Sequence, residues 1–522
     1  MNSSLQWIPA TLKTFALALP LGFLPFEQIP YFRQLSFQTT HSVQASVQVS
    51  ERARTVSHNA DIVDLNVNPI ANIPTAEQWK THIQQDLLPF WSSPDALGEP
   101  LGNFPSVRCN DGTLINPENP CPEVQDHEWL MTGDQYVVAL SRQVYTYGVA
   151  FQLTGELQYL DYAKAGVDYL RQNALDREAG GAFSWWDAKE QTWGPELSDR
   201  NPSTQAAVLI GLAYYYYLTR DANVLQDILE VKDFIFETYY NPELELLQWQ
   251  PSDKEQTDAP QLSAQLEQLT YMLLLTPILP EPEQTEWWRD MVHLSDIMLN
   301  QFYSEDKNVF LPFADSVDDP ETLEFAPTIK AMWLMHMIGQ WNHETSLVDF
   351  VTENAPKLLE QAFLTDSSAW VDGLNADKTV NQHQSWWSYA ILNQFTASFA
   401  LTEPSVATYL SQTYDYWFKH FVDTQFGEVW NGVDALTHQP IQDFPKQWTW
   451  KNGYHSFEHA LVGYITSSQL HREPIVLYYA FETMPSLDTI KPYYYRGEIN
   501  EVESISTDAR KIIYKVTFSE IR

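Results

Sequence analysis

Residues 451–464, KNGYHSFEHALVGY, hold two histidines four apart with a glutamate just before the second. His455, Glu458 and His459 spell H-x-x-E-H, the inverted form of a zinc-peptidase signature. On a helix, this spacing brings both imidazoles to one face, as two metal ligands require. A third ligand would have to come from the tail, where Glu498, Glu501 and Glu503 stand. The same imidazoles also suit proton transfer, because their unperturbed pKa of about 6.5 lies near the usual operating pH. A third chemistry, glycosidic hydrolysis, needs two carboxylates flanking a bond. Asp187, Asp258, Asp372 and Glu458 are available for it, with no separation fixed by the sequence.

Composition narrows the partners. Against 68 acidic residues stand 30 basic ones, a net charge of −38 spread along 522 residues with no basic cluster. Such a surface repels nucleic acid and anionic membranes, so no nucleic-acid partner is expected. Hydrophobic residues make up 44% and aromatics 14%, including 19 Trp and 27 Tyr, which is enough for a large core. Aromatic planes left exposed would suit the C–H faces of sugars.

The N-terminal run LKTFALALPLGFLPF is too short to span a bilayer comfortably and has the character of a signal-peptide core. Residues 1–40 are therefore expected to be an export signal or membrane anchor, and the polar stretch 41–74 a linker. The expected location is periplasmic or secreted, or tethered where the segment is uncleaved, with no stable span in the mature protein. Cys109 and Cys121 lie in the turn-rich RCNDGTLINPENPCPE, and loop cysteines beside an export signal favour a disulfide.

From Thr75 the chain reads as twelve helix-length segments, near 75–91, 133–155, 157–175, 203–220, 222–238, 260–278, 283–302, 327–341, 346–364, 384–400, 404–422 and 454–471. Two types alternate. NVLQDILEVKDFIF carries one apolar stripe, whereas TQAAVLIGLAYYYYL and IKAMWLMHMIG are apolar nearly all round. Between pairs come loops with turn residues around a short aromatic strand, such as AGGAFSWWDAKEQTW and TQFGEVWNGVDALTHQP. Inner segments recur every 55–70 residues, the period of an internal repeat. The predicted fold is all-α: an (α/α)6 barrel of six helical hairpins over 75–475, with β-hairpin loops and a small β-rich tail over 476–522. In a closed double ring the inner N-termini share one mouth, and their dipoles favour negative charge there. His455 falls in one such first turn.

LSRQVYTYGVAFQLTGELQYLDYAKAGVDYL, GGAFSWWD, STQAAVLIGLAYYYYLT, SWWSYAILNQF and GYHSFEHAL, in that order, resemble the N-acylglucosamine 2-epimerase family. That family includes cellobiose and mannose 2-epimerases and aldose–ketose isomerases. The resemblance covers about residues 75–475 and implies the same (α/α)6 barrel. It also implies metal- and cofactor-independent proton transfer on a mono- or oligosaccharide, with two histidines on opposite sides of a cis-enediolate. His455 falls on the family's final-helix histidine, beside Tyr454, and Arg142 on the arginine that supports the oxygen. Trp386 and Trp387 fall on the aromatic pair walling the sugar pocket.

The departures are specific. Pro327 stands where the second histidine is usual, Lys330 replaces a glutamate, and Ile391 stands where a glutamate follows the Trp pair. Gln205 and Ala207 occupy positions where polar helpers occur. His383, opening the neighbouring inner helix, and His459 are the candidate replacements, with Lys330 a further base or cation. The expected activity is 2-epimerization or aldose–ketose isomerization. The alternatives are an impaired sugar-binding relative or a glycoside hydrolase on the same barrel.

Overall fold

Whether a helix lies inside or outside depends on how far its apolar residues extend around it. Ala222–Tyr239 has one buried stripe of Val224, Ile228, Val231 and Ile235. Pro202–Thr219 is buried on every side apart from Ser203. The structure, a computed structural model, describes residues 70–194, 200–253, 259–314, 322–375, 377–507 and 512–522. The export segment 1–40, most of the linker 41–74 and Asp258 lie outside the described residues.

The described chain is mostly helical with small sheets. Helix α1 (Ala76–Thr81) continues through a wide turn, His82–Leu87, into a last turn, Leu88–Trp91. There follow α2 (Val137–Thr154), α3 (Leu157–Tyr169), α4 (Pro202–Thr219), α5 (Ala222–Tyr239), α6 (Leu262–Leu275) and α7 (Glu283–Gln301). The series ends with α8 (Ala326–Asn342), α9 (Thr345–Ala362), α10 (Trp386–Phe399), α11 (Ala407–Tyr416) and α12 (Gly453–His471). Even-numbered helices pack side by side in chain order, and α12 packs back on α2. Each odd-numbered helix packs outside an even one: α3 on α2, α5 on α4, α7 on α6, α9 on α8, α11 on α10 and α1 on α12. The first and last helices thus form one pair. Gly463 makes it possible, since a Cβ there would lie 2.4 Å from the Trp79 ring, whose N–H donates to Ser467 Oγ at 3.0 Å.

Five outer segments pass into short antiparallel pairings of one register. Leu175 faces Ala182, Tyr240 Leu247, Tyr303 Phe310, Phe363 Trp370 and Val422 Val429. Each turn is closed by a left-handed residue at the same place: Gly180, Glu245, Asn308, Ser368 and Gly427. Inner helices clamp these turns. Gln205 of α4 bonds both the N–H and the carbonyl of Ala182, and Gln265 of α6 does the same to Leu247. Gln205 is thus held in a structural bond.

Helix α10 starts later than the sequence pattern predicts. His383–Ser385 is a strand paired with Gly432–Asp434. That pairing holds 383–385 extended, with the His383 N–H on Asn381 Oδ1 and the Ser385 N–H on the Asp372 carboxylate just ahead of the helix. Beyond α12, strands Ile475–Phe481 and Glu498–Thr507 flank Ile512–Ser519 in an antiparallel sheet, and the first of these packs on α2 and α4. Among the described residues no helix is long and apolar enough to cross a membrane.

Cys109 and Cys121 are disulfide-bonded. Their loop is fastened to the ring by Arg108, fully buried, which donates to Phe90 O, Ser93 Oγ and Gly112 O, and to Gln447 Oε1 at 2.5 Å. A crosslink closing a loop of this size contributes about 3 kcal/mol in the chain-entropy model. Replacing both cysteines with alanine should lower unfolding stability by that order in urea titrations. Thiol titration of denatured, unreduced native protein should find no free sulfhydryl; two would contradict the bond.

Candidate active site

Four inner helices each carry one Lys, Arg, Asp or Glu, and a charge inside a helical ring must find partners. These residues are Arg142, sixth in α2; Glu267, sixth in α6; Lys330, fifth in α8; and Glu458, sixth in α12. They sit at similar depth from the helix N-termini and influence one another. Lys330 Nζ donates to Glu267 Oε1 at 2.7 Å. The Arg142 guanidinium donates to the Trp450 carbonyl at 3.0 Å and lies 5.3 Å from both the Trp450 and Tyr454 ring centres.

His455 stands among them, third in α12, whose start is capped by Asn452 accepting from the Tyr454 N–H. Its ring centre is 4.5 Å from Tyr454, 6.1 Å from Trp387 and 6.4 Å from Trp386. Its Nδ1 lies 3.8 Å from Glu458 Oε2, outside hydrogen-bond range but close enough to feel the carboxylate charge. Arg142, Trp386, Trp387, Tyr454 and His455 are therefore brought together. Glu267 and Trp450 join them without having been singled out, and Lys330 takes a central place.

The electrostatics follow from burial. Desolvation pushes His455 down to about 4, Arg142 and Lys330 add to that, and Glu458 opposes it. Burial works to raise the Glu267 carboxyl, but Lys330, Arg142 and His455 together hold it below its ordinary value. Near neutrality the site contains a neutral imidazole beside fixed charges of both signs. Among the described residues, Arg142 Nε, Glu267 Oε2, Trp386 Nε1, His455 Nδ1 and Glu458 Oε2 are buried atoms without a hydrogen-bond partner. Native proteins leave few such atoms; His455 Nδ1 and Glu458 Oε2 face each other, and the other three fit a ligand rich in hydroxyls. A separate cavity of about 210 Å³ lies outside this cluster, between residues 105–136 and Thr449, and includes Trp129 and Tyr136.

Other expected residues lie elsewhere. His459, expected at the pocket, is fully buried with its ring against Trp79, Tyr414 and Trp417, and its Nε2 lies 3.1 Å from Asn393 Nδ2. Because α12 is covered on all sides, one helical turn separates a cluster-facing position from a core-facing one. The two histidines of H-x-x-E-H thus meet different surroundings. Of the tail acids, Glu498 and Glu501 are exposed and Glu503 pairs with Lys515. His383 lies on its strand with Nδ1 3.5 Å from Asp372 Oδ2. Asp372 accepts from the Ser385 N–H with both oxygens, and Asp187 caps its own turn at Lys189 and Glu190.

Burial of neutral histidine predicts acid sensitivity. His336, packed against Phe399, is also lowered to about 4 by burial. An unfolded histidine takes up its proton near pH 6.5, and these folded ones resist until about 4. Stability present above pH 6.5 should therefore be lost as pH falls toward 4, by up to about 3 kcal/mol per histidine. Urea midpoints at pH 7.5 and 4.5 should differ accordingly, and His336→Gln should narrow the difference. An unchanged difference in that variant would contradict the assignment.

No family model and no curated protein matches this chain. Solved structures do. The cellobiose 2-epimerase from Bacillus thermoamylovorans B4167 is 15% identical with a TM-score of 0.62, over 75% of this chain and 98% of that one. The cellobiose 2-epimerase from Spirochaeta thermophila DSM 6192 is 18% identical with a TM-score of 0.62, over 76% and 97%. A D-mannose isomerase is 14% identical with a TM-score of 0.62, over 76% and 99%. This chain has the fold of the cellobiose 2-epimerases and D-mannose isomerase.

Proposed function

We propose that this chain is a carbohydrate 2-epimerase or aldose–ketose isomerase on an (α/α)6 barrel. The observation that carries this reading is the neutral His455 beside the Trp386–Trp387 pair and within the electrostatic influence of Arg142, amid the single charges of four inner helices. With Nδ1 toward Glu458, Nε2 is the nitrogen offered to substrate. It takes the proton from the carbon beside the sugar carbonyl, and Arg142, with Nε unengaged, steadies the developing enediolate oxygen. The two indoles receive the sugar ring.

Aldose–ketose isomerization needs one such base on one face. Inversion at carbon 2 needs a second group on the other face, where the family places a histidine and this chain has Pro327. Lys330 and Glu267 are the paired acid and base nearest to that need, and the reading gives them the role first expected of His383. Export remains part of the proposal, supported by the disulfide.

A panel of aldoses, ketoses and disaccharides in deuterated water tests it. At least one sugar should gain deuterium beside its carbonyl, and His455→Ala should cut that exchange by about a hundredfold or more while the protein stays folded. Sugars that bind without any exchange would replace this reading with a binding function.

A further inference from the structure

The loop joining the first two strands of the C-terminal sheet carries Tyr493, Tyr494 and Tyr495, all buried. It contacts every inner helix. Tyr217 of α4 accepts from the Tyr493 N–H at 2.8 Å, Tyr494 OH donates to Thr270 O of α6 at 3.0 Å, and Trp341 of α8 donates to Tyr494 O at 2.7 Å. Tyr495 OH and Ser398 Oγ of α10 are 2.5 Å apart. Tyr493 completes the set, because its OH donates to Glu458 Oε1 of α12 at 2.6 Å and accepts from Tyr145 OH of α2 at 3.1 Å. Its backbone is left-handed, φ 59°, an uncommon state for a bulky side chain that the surrounding contacts hold in place.

Glu458 therefore has two differently engaged oxygens. Oε1 is held by the tail, and Oε2 faces His455 Nδ1 across 3.8 Å with no other partner among the described residues. A carboxylate gripped at one oxygen cannot turn, so the aim of the other is fixed, as a partner carboxylate orients an imidazole elsewhere. We propose that this loop is the floor of the site and that Tyr493 is a positioning residue. Through Glu458, whose Oε2 charge lies 3.8 Å from Nδ1, it favours the tautomer with the proton on Nδ1 and leaves Nε2 as the base. The role deepens the proposed proton transfer and rests on it.

The test uses the full chain and two readouts, one of which needs no substrate. In ¹⁵N-histidine spectra at pH 7.5, with His455 assigned by its loss in His455→Ala, wild type should show a protonated Nδ1 and an unprotonated Nε2. Tyr493→Phe, which removes only the hydroxyl, should shift His455 toward a tautomer mixture. Tyr495→Phe, which removes a hydroxyl not bonded to Glu458, should leave the His455 signals in place. On an exchanging sugar, Tyr493→Phe should lower kcat about tenfold with KM within about twofold, and Glu458→Gln should match it with no further loss in the double variant. Unchanged nitrogen shifts in both Tyr493→Phe and Glu458→Gln would overturn the proposal, whichever of the two folds better. Shifts that respond in a protein exchanging no sugar would keep the positioning contact and remove the sugar reaction.

Discussion

A charge buried inside a ring of helices is tolerated only beside other charges, and that constraint organises this molecule. Arg142, Glu267, Lys330 and Glu458 are the single Lys, Arg, Asp or Glu residues of their inner helices, while α4 and α10 have none. Each would be costly alone: breaking a buried pair by removing one partner typically costs about 3–5 kcal/mol. Placed at similar depth on helices around one axis, they offset each other without filling every hydrogen-bonding position. What remains is a buried polar cluster among apolar and aromatic side chains, with the neutral His455 within it.

The rest of the chain fixes that cluster from two sides. At the N-terminal ends of the inner helices, the disulfide loop is tied through Arg108 to Gln447 and through Asn110 Oδ1 to the Lys446 N–H. This segment leads directly to Trp450, whose carbonyl receives Arg142. Lys451 beside it forms a fully buried pair with Glu428 and lies 5.5 Å from the Trp386 ring centre. From the other side the tyrosine loop enters between the helices and reaches Glu458. Neither support is next in sequence to what it holds.

How much of this was legible in the sequence varied with distance along the chain. The helices were readable because stripes and all-round apolar runs are local, and the turn repeat shows in spaced residues such as Gly180, Asn308 and Gly427. His383 reads as the opening of an inner helix because its strand depends on pairing with Gly432–Asp434, far along the chain. The i,i+4 spacing puts His459 on the same side of α12 as His455 but one turn further along, where Trp79, Tyr414 and Trp417 enclose it. Glu267 was overlooked although a signal existed, since it is the one charge in LSAQLEQLTYMLLL. Tyr493 gave none: nothing near PYYYRG says that the loop threads into the ring.

The most direct test of the account is a crystal structure with a sugar alcohol, which cannot react and so stays where substrate binds. Its second carbon should lie within about 3.5 Å of His455 Nε2, a near-attack separation, with hydroxyls on Arg142 and Glu267 and the chain against Trp386 and Trp387. A sugar alcohol held in the outer cavity beside Trp129, with the His455 cluster untouched, would contradict it.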